Sequence, residues 1–186
     1  REVLLEKAKI LLAQGKADDS IAMFERVKSE EGETFDDETR FYLINIYANM
    51  GKHEKALALC KEIIEKKNEN SYYYSAVFFN AECLNKLGRE EEARKAYEEA
   101  STLFRLASSA NPGMLDLIVY RALCYRALKQ YDKAFEMIDY MLALDENIGE
   151  AYFIRSELYR ELNEFEKAEI DRAKAASKSR FLGMLL

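Results

Sequence analysis

The sequence has no tryptophan, one proline (Pro112), one histidine (His53), three cysteines and seven glycines in 186 residues. A single imidazole leaves general acid–base and metal chemistry without the group both use most often. Cys60, Cys83 and Cys124 are widely spaced and form no C-x-x-C pair. That pattern excludes a disulfide scaffold and a zinc ribbon, and points to a reducing, cytoplasmic setting. Scarce Pro and Gly exclude collagen-like and low-complexity chains. The heaviest apolar stretch, Tyr72 to Phe79, falls far short of the roughly 18 residues a membrane helix needs. Positive charge is also in short supply: 28 Lys and Arg face 34 Asp and Glu, a net charge of −6. No concentrated basic face for nucleic acid is visible. What is present is 49% apolar and 33% charged residues, rich in Ala, Glu, Lys and Leu. This is the composition of helices around one sizeable core.

The chain repeats. Gly15, Gly51 and Gly88 each follow an apolar-periodic stretch, and five residues later comes a small residue, Ser20, Ala56 and Ala93. The same small residue recurs as Ala134 and Ala168, so that successive steps are 36, 37, 41 and 34 residues. A period near 34 with slack in the loops is what stacked helix pairs produce. The step of 41 predicts a longer second helix in the third unit, running to about Ser109 and stopped by Asn111-Pro112-Gly113. Two residues before each small residue stands an acid, Asp18, Glu54, Glu91, Asp132 and Glu166. There it meets the positive end of a helix dipole and the unpaired first amides, which supports the register on physical grounds.

On these residues the chain resembles the tetratricopeptide repeat (TPR) family. The units begin at Arg1, Asp37, Tyr74, Leu115 and Gly149, spanning about 1–36, 37–73, 74–114, 115–148 and 149–182. Repeat position 11, aromatic in the family, reads Leu11, Tyr47, Leu84, Tyr125 and Tyr159. The last unit matches best, with Ala151, Tyr152, Arg155, Tyr159, Phe165 and Ala168. The resemblance implies an all-α fold, a right-handed α-solenoid of stacked antiparallel helix pairs in one domain. Position 8 never holds Gly, and position 24 holds Arg172 in the last unit, a slot expected to be exposed.

In such a solenoid the first helix of each pair lines a concave groove. Residues three and four apart share a helix face, so repeat positions 2, 5, 9, 12 and 13 line it, with 6 at its margin. The candidate peptide-binding residues are Phe41, Tyr42, Asn45, Asn49, Phe78, Glu82, Asn85, Arg126, Phe153 and Arg160. Aromatic rings beside amides that both donate and accept suit an extended peptide or an amphipathic helix. The competing reading packs the rings between neighbouring helices, more so at position 6 (Tyr42, Phe79, Tyr120) than at position 5 (Phe41, Phe78, Phe153). The family's chaperone-binding carboxylate clamp is not carried over: of its slots only Asn45 fits.

No Gly-rich phosphate loop, H-E-x-x-H or G-x-S-x-G occurs. No catalytic residue, metal site or cofactor is expected. His53 reads as a solvated turn residue, the cysteines as buried packing groups, and Arg155 with Asp171 as an ion pair joining two helices. The expectation is a non-catalytic scaffold that binds a protein or peptide partner, with no nucleic acid and no membrane span. The alternative is a sensory or dimerisation module of a larger regulator, since the chain opens Arg1-Glu2-Val3 without Met and reads as a fragment. The apolar tail Phe181 to Leu186 is then a candidate homodimer contact.

Overall fold

The computed structural model describes residues 2–31 and 36–178. Ten helices and no strand occur among the described residues: α1 (Glu2–Ala13), α2 (Ala17–Glu31), α3 (Asp37–Asn49), α4 (His53–Glu65), α5 (Ser71–Lys86), α6 (Glu90–Ala110), α7 (Leu115–Ala127), α8 (Tyr131–Leu144), α9 (Gly149–Glu161) and α10 (Phe165–Lys178). They divide into two compact units, residues 1–89 and 90–186. In the first, α1 packs on α2, α3 on α4, and α5 on both α3 and α4. In the second, α6 packs on α7, α7 on α8, α9 on both α7 and α8, and α10 on α9.

Each pair is closed by the same turn. Residues Gly15, Gly51, Gly88, Lys129 and Asn163 occupy repeat position 15, and all five have positive φ, between 56° and 74°. The following amide bonds back to the carbonyl five residues earlier: Lys16 to Leu11, Lys52 to Tyr47, Arg89 to Leu84, Gln130 to Tyr125 and Glu164 to Tyr159, at 2.8–3.0 Å. That is the Schellman closure, which satisfies carbonyls that a helix end leaves unpaired.

The small residues at position 20 explain themselves by proximity. Ser20 donates its hydroxyl to the Ala8 carbonyl at 2.8 Å, so α1 and α2 cross where position 20 meets position 8. Ser20, Ala56, Ala93, Ala134 and Ala168 are all buried, as are Ala8, Ile44, Ala81, Ala122 and Ser156. Position 27 completes the core with Val27, Ile63, Ala100, Met141 and Ala175, again all buried. In the second unit, Ile118, Ile138, Met141, Ile154 and Leu158 form one continuous apolar cluster.

One detail differs from expectation. The third unit's first helix starts at Ser71, before Tyr74, because Asn70 caps it, its side chain accepting from the Tyr73 amide at 3.0 Å. The sixth helix is long as expected, ending at Ala110 just ahead of Asn111-Pro112-Gly113. Arg172 is exposed as expected, its guanidinium 3.6 Å from Glu157.

Candidate functional site

In the first unit the candidate face is carried by α1, α3 and α5. Lys9 joins the first two of these: its Nζ lies 2.8 Å from Glu38 and 3.1 Å from Glu6, and 5.2 Å from the centre of the Tyr42 ring. The Glu38 hydrogen bond raises the Lys9 ammonium above its ordinary value, burial opposing, so the lysine stays charged. Tyr42 stacks on buried Phe24 at 5.7 Å, while Phe41 meets Tyr72 of α5 at the same separation. Both rings are half-buried. Asn45 donates Nδ2 to the Phe41 carbonyl at 2.7 Å, so the donor expected for a ligand is engaged within its own helix. Asn49 and Asn85 are exposed, and Glu82 is half-buried.

Phe78 corrects the sequence reading. It is only 4% exposed and meets Phe79 edge-on at 5.7 Å. It is core, whereas Phe41 and Phe153 at the same repeat position are half-buried. Leu5 and Val119 at the same position are buried too. At position 6, Ile154 is fully buried but the aromatic residues Tyr42, Phe79 and Tyr120 keep partial exposure, where the competing reading expected them to be the more buried row.

The second unit's face is carried by α7 and α9. Arg126 is a correction of a different kind. Its Nε donates to Glu161 at 2.7 Å and its Nη2 to Glu157 at 3.4 Å, so its charge braces α7 to α9 and is not held ready for a ligand. Arg160 is exposed and lies 3.8 Å from Glu157. Phe153 is half-buried against the apolar cluster.

Outside the face, Arg155 reaches Asp171 through Nε at 2.5 Å and Nη2 at 3.0 Å, the expected ion pair between α9 and α10. The Asp171 hydrogen bond raises the guanidinium more than burial lowers it, so the net direction is up. The three cysteines are free thiols and buried. Burial pushes the Cys60 thiol well up. His53 is half-buried with an Nδ1 that is shielded and lacks a partner, not the solvated residue the turn suggested. Among the described residues no cluster of His, Cys, Asp and Glu could hold a metal ion, and no helix is long and apolar enough to cross a membrane. The apolar tail and Arg1 lie outside the described residues.

Sequence reasoning missed the charged groups that tie helices together. Buried Arg40 donates Nε to Glu62 at 2.9 Å and sits 3.4 Å from Asp37, which also meets Lys66 at 2.6 Å. The charge was visible in the sequence, but its burial at a position usually apolar was not.

The comparisons with known proteins bear on the fold. A family described as anaphase-promoting complex, cyclosome, subunit 3 matches residues 13–100. A thermophilic TPR protein of Thermus thermophilus, TTC0263, is 24% identical with a TM-score of 0.74, the match covering 99% of this chain and 94% of that one. The chain folds as a tetratricopeptide repeat protein. A further TPR protein, from Parabacteroides merdae, is 18% identical with a TM-score of 0.54, over 97% of this chain and 79% of that one. MamA is 18% identical with a TM-score of 0.52, over 92% and 93% of the two chains. No curated protein sequence matches the chain. The helix pairs within each unit and the five turns thus stand both on internal geometry and on likeness to solved structures.

Proposed function

We propose that this TPR chain is a non-catalytic scaffold that binds a peptide or helix of a partner protein along the face that α3 and α5 build in its first unit. The observation that carries this reading is the edge formed by α3 and α5: exposed Asn49 and Asn85, with half-buried Phe41 and Tyr42 beside Asn45. Amides that can pair with any backbone sit there next to rings that can take up apolar side chains. The match to a family named for a subunit of a multiprotein complex agrees with a role in assembly. Residence in the cytoplasm belongs to the same reading, supported by three free thiols, the state a reducing compartment maintains.

Phe78 is core and Asn45 is held within its own helix, so in the first unit the residues left to reach a ligand are Phe41, Tyr42, Asn49 and Asn85. A photo-crosslinking residue placed at Asn49 or Asn85, with exposed Lys95 on α6 as the control position, tests this. A partner crosslinked from Asn49 and Asn85 but not from Lys95, and lost in N49R, supports the face. Crosslinking from Lys95 alone overturns it.

A further inference from the structure

Arginine stands at the same repeat position in the fourth and fifth pairs, as Arg126 on α7 and Arg160 on α9. Arg126 shows what satisfies a guanidinium there. It takes two carboxylates one helical turn apart on α9, Glu161 at 2.7 Å and Glu157 at 3.4 Å. Arg160 has no such pair. Its side chain is 51% exposed, and its Nη1 lies 3.8 Å from the Oε1 of Glu157 on its own helix. Arg172 of α10, 46% exposed, brings its Nη1 to the same oxygen at 3.6 Å. Sharing that oxygen holds the two guanidinium groups side by side, open to solvent. Among the described residues neither has another acidic partner or donates a hydrogen bond. Residues 179–186, which follow α10, contain no Asp or Glu.

The cluster joined by these contacts holds Arg126, Arg160 and Arg172 against Glu157 and Glu161, so positive charge is in excess. Guanidinium forks match carboxylates in geometry as well as charge. The repeat position of Arg172 holds buried Phe24, Cys60, Tyr97 and Ile138 in the four earlier pairs. In the last pair it is charged and exposed, so the surface there selects for charge. A second copy stacking its α1 on this end would be a poor match. Where α9 carries Glu157 and Glu161, α1 carries Lys9 and Ala13 at the same repeat positions. We infer that Arg160 and Arg172 bind the acidic face of a helix from another protein, one that presents two carboxylates a turn apart as α9 presents them to Arg126. The site shares no residue with the face built by α3 and α5, and the two readings stand or fall separately.

Arg126 serves as an internal control. In the full chain, the Nε–H signals of Arg126, Arg160 and Arg172 are followed by NMR during titration with a capped, alanine-rich helical peptide of about 16 residues that carries two Glu four apart. One control peptide has Gln for both Glu; another has its two Glu two residues apart, on different helix faces. Sodium acetate is the third control. The expected result is a saturating shift of Arg160 and Arg172 with the first peptide, while Arg126, already engaged, stays still. The misplaced-Glu peptide and acetate should each need about tenfold higher concentration, and the Gln peptide should give no saturation. R160Q and R172Q should each weaken the first peptide about tenfold, with circular dichroism unchanged because both side chains are exposed. An equal response to the Gln peptide, to the misplaced-Glu peptide or to acetate overturns the site. So does parent-like affinity in both variants, or the same shifts on concentrating the protein without peptide, which would assign the surface to a second copy.

Discussion

The ammonium of Lys55 lies 5.4 Å from the centre of the Tyr47 ring, bridging the two helices of the second pair across their turn. The same two repeat positions hold Tyr125 with Lys133 at 5.5 Å and Tyr159 with Lys167 at 5.3 Å. Where the first position is Leu11 or Leu84, the second is Asp19 or Glu92. Ring and cation are thus present together or absent together in all five pairs. Attraction of a cation to the ring face accounts for this: lysine gains only where the ring exists. A double-mutant cycle on Tyr47→Leu and Lys55→Gln should return a coupling energy of about 0.5–1 kcal/mol from urea unfolding. Strict additivity would reduce the pattern to chance.

The five turns give a second expectation. Lys129 holds a left-handed conformation with φ 56°, where Gly15, Gly51 and Gly88 stand in the equivalent turns. A side chain in that region costs about 1 kcal/mol relative to glycine. Lys129→Gly should therefore stabilise by about 0.5–1 kcal/mol. Gly51→Ala should destabilise by about 1 kcal/mol, although an added Cβ at Gly51 meets nothing within 4 Å. The cost there is conformational and not steric. Chemical denaturation of both variants decides the matter, and equal effects of one sign would contradict it.

These turns also show what the sequence makes legible. Period, register and helix pairing follow from small residues at one position and acids two before it, and the structure places helices there. The third Schellman turn was readable from Gly88, whereas those at Lys129 and Asn163 were not, since nothing in lysine announces a positive φ. The candidate face was legible only in part. Helix periodicity says which residues share a face but not how deeply neighbouring helices bury it. Phe78 and Phe41 are equivalent by spacing, yet one is core and the other half-exposed. Arg126 and Lys9 look like free cations along one helix, and their partners Glu161 and Glu38 lie on the next. Contacts of that kind depend on stacking, which a single helical wheel does not contain.

The pair Arg155–Asp171 permits a sharper test, because Asp171 is buried and its partner largely so. Removing one member strands a buried charge, while removing both strands none. Asp171→Ala should cost about 3 kcal/mol. The double variant Arg155→Met, Asp171→Leu should cost markedly less, about 1 kcal/mol or below. Calorimetric unfolding of the single and double variants separates the outcomes. A double variant as unstable as the single one would mean that the pair is a net source of stability.

The thiols yield a prediction about access. Cys60, Cys83 and Cys124 are buried among packed helices, and burial raises the Cys60 thiol well above its ordinary value, so little thiolate is available there. Folded protein should react with iodoacetamide far more slowly than protein in urea, and mass spectrometry should find all three sites labelled only after unfolding. Rapid labelling of Cys60 in the native chain would show that α4 opens locally.

Phe78 and Phe41 together decide how the proposed face must be probed. Phe78 is 4% exposed, so Phe78→Ala should cost about 3–5 kcal/mol, most of it lost burial and an unfilled cavity. Phe41 keeps part of its ring in solvent against Tyr72, and Phe41→Ala should cost less, about 1–2 kcal/mol. Charge at Phe78 would unfold the first unit, and loss of a partner from such a variant would report on folding alone. Charge at Asn49, which is exposed, leaves the helix intact and removes only what a ligand would meet. Circular dichroism melts of F78A, F41A and N49R should therefore rank in that order of lost stability, with N49R close to the parent chain. If N49R melts as early as F78A, Asn49 is part of the packing, and the face built by α3 and α5 is closed to a partner.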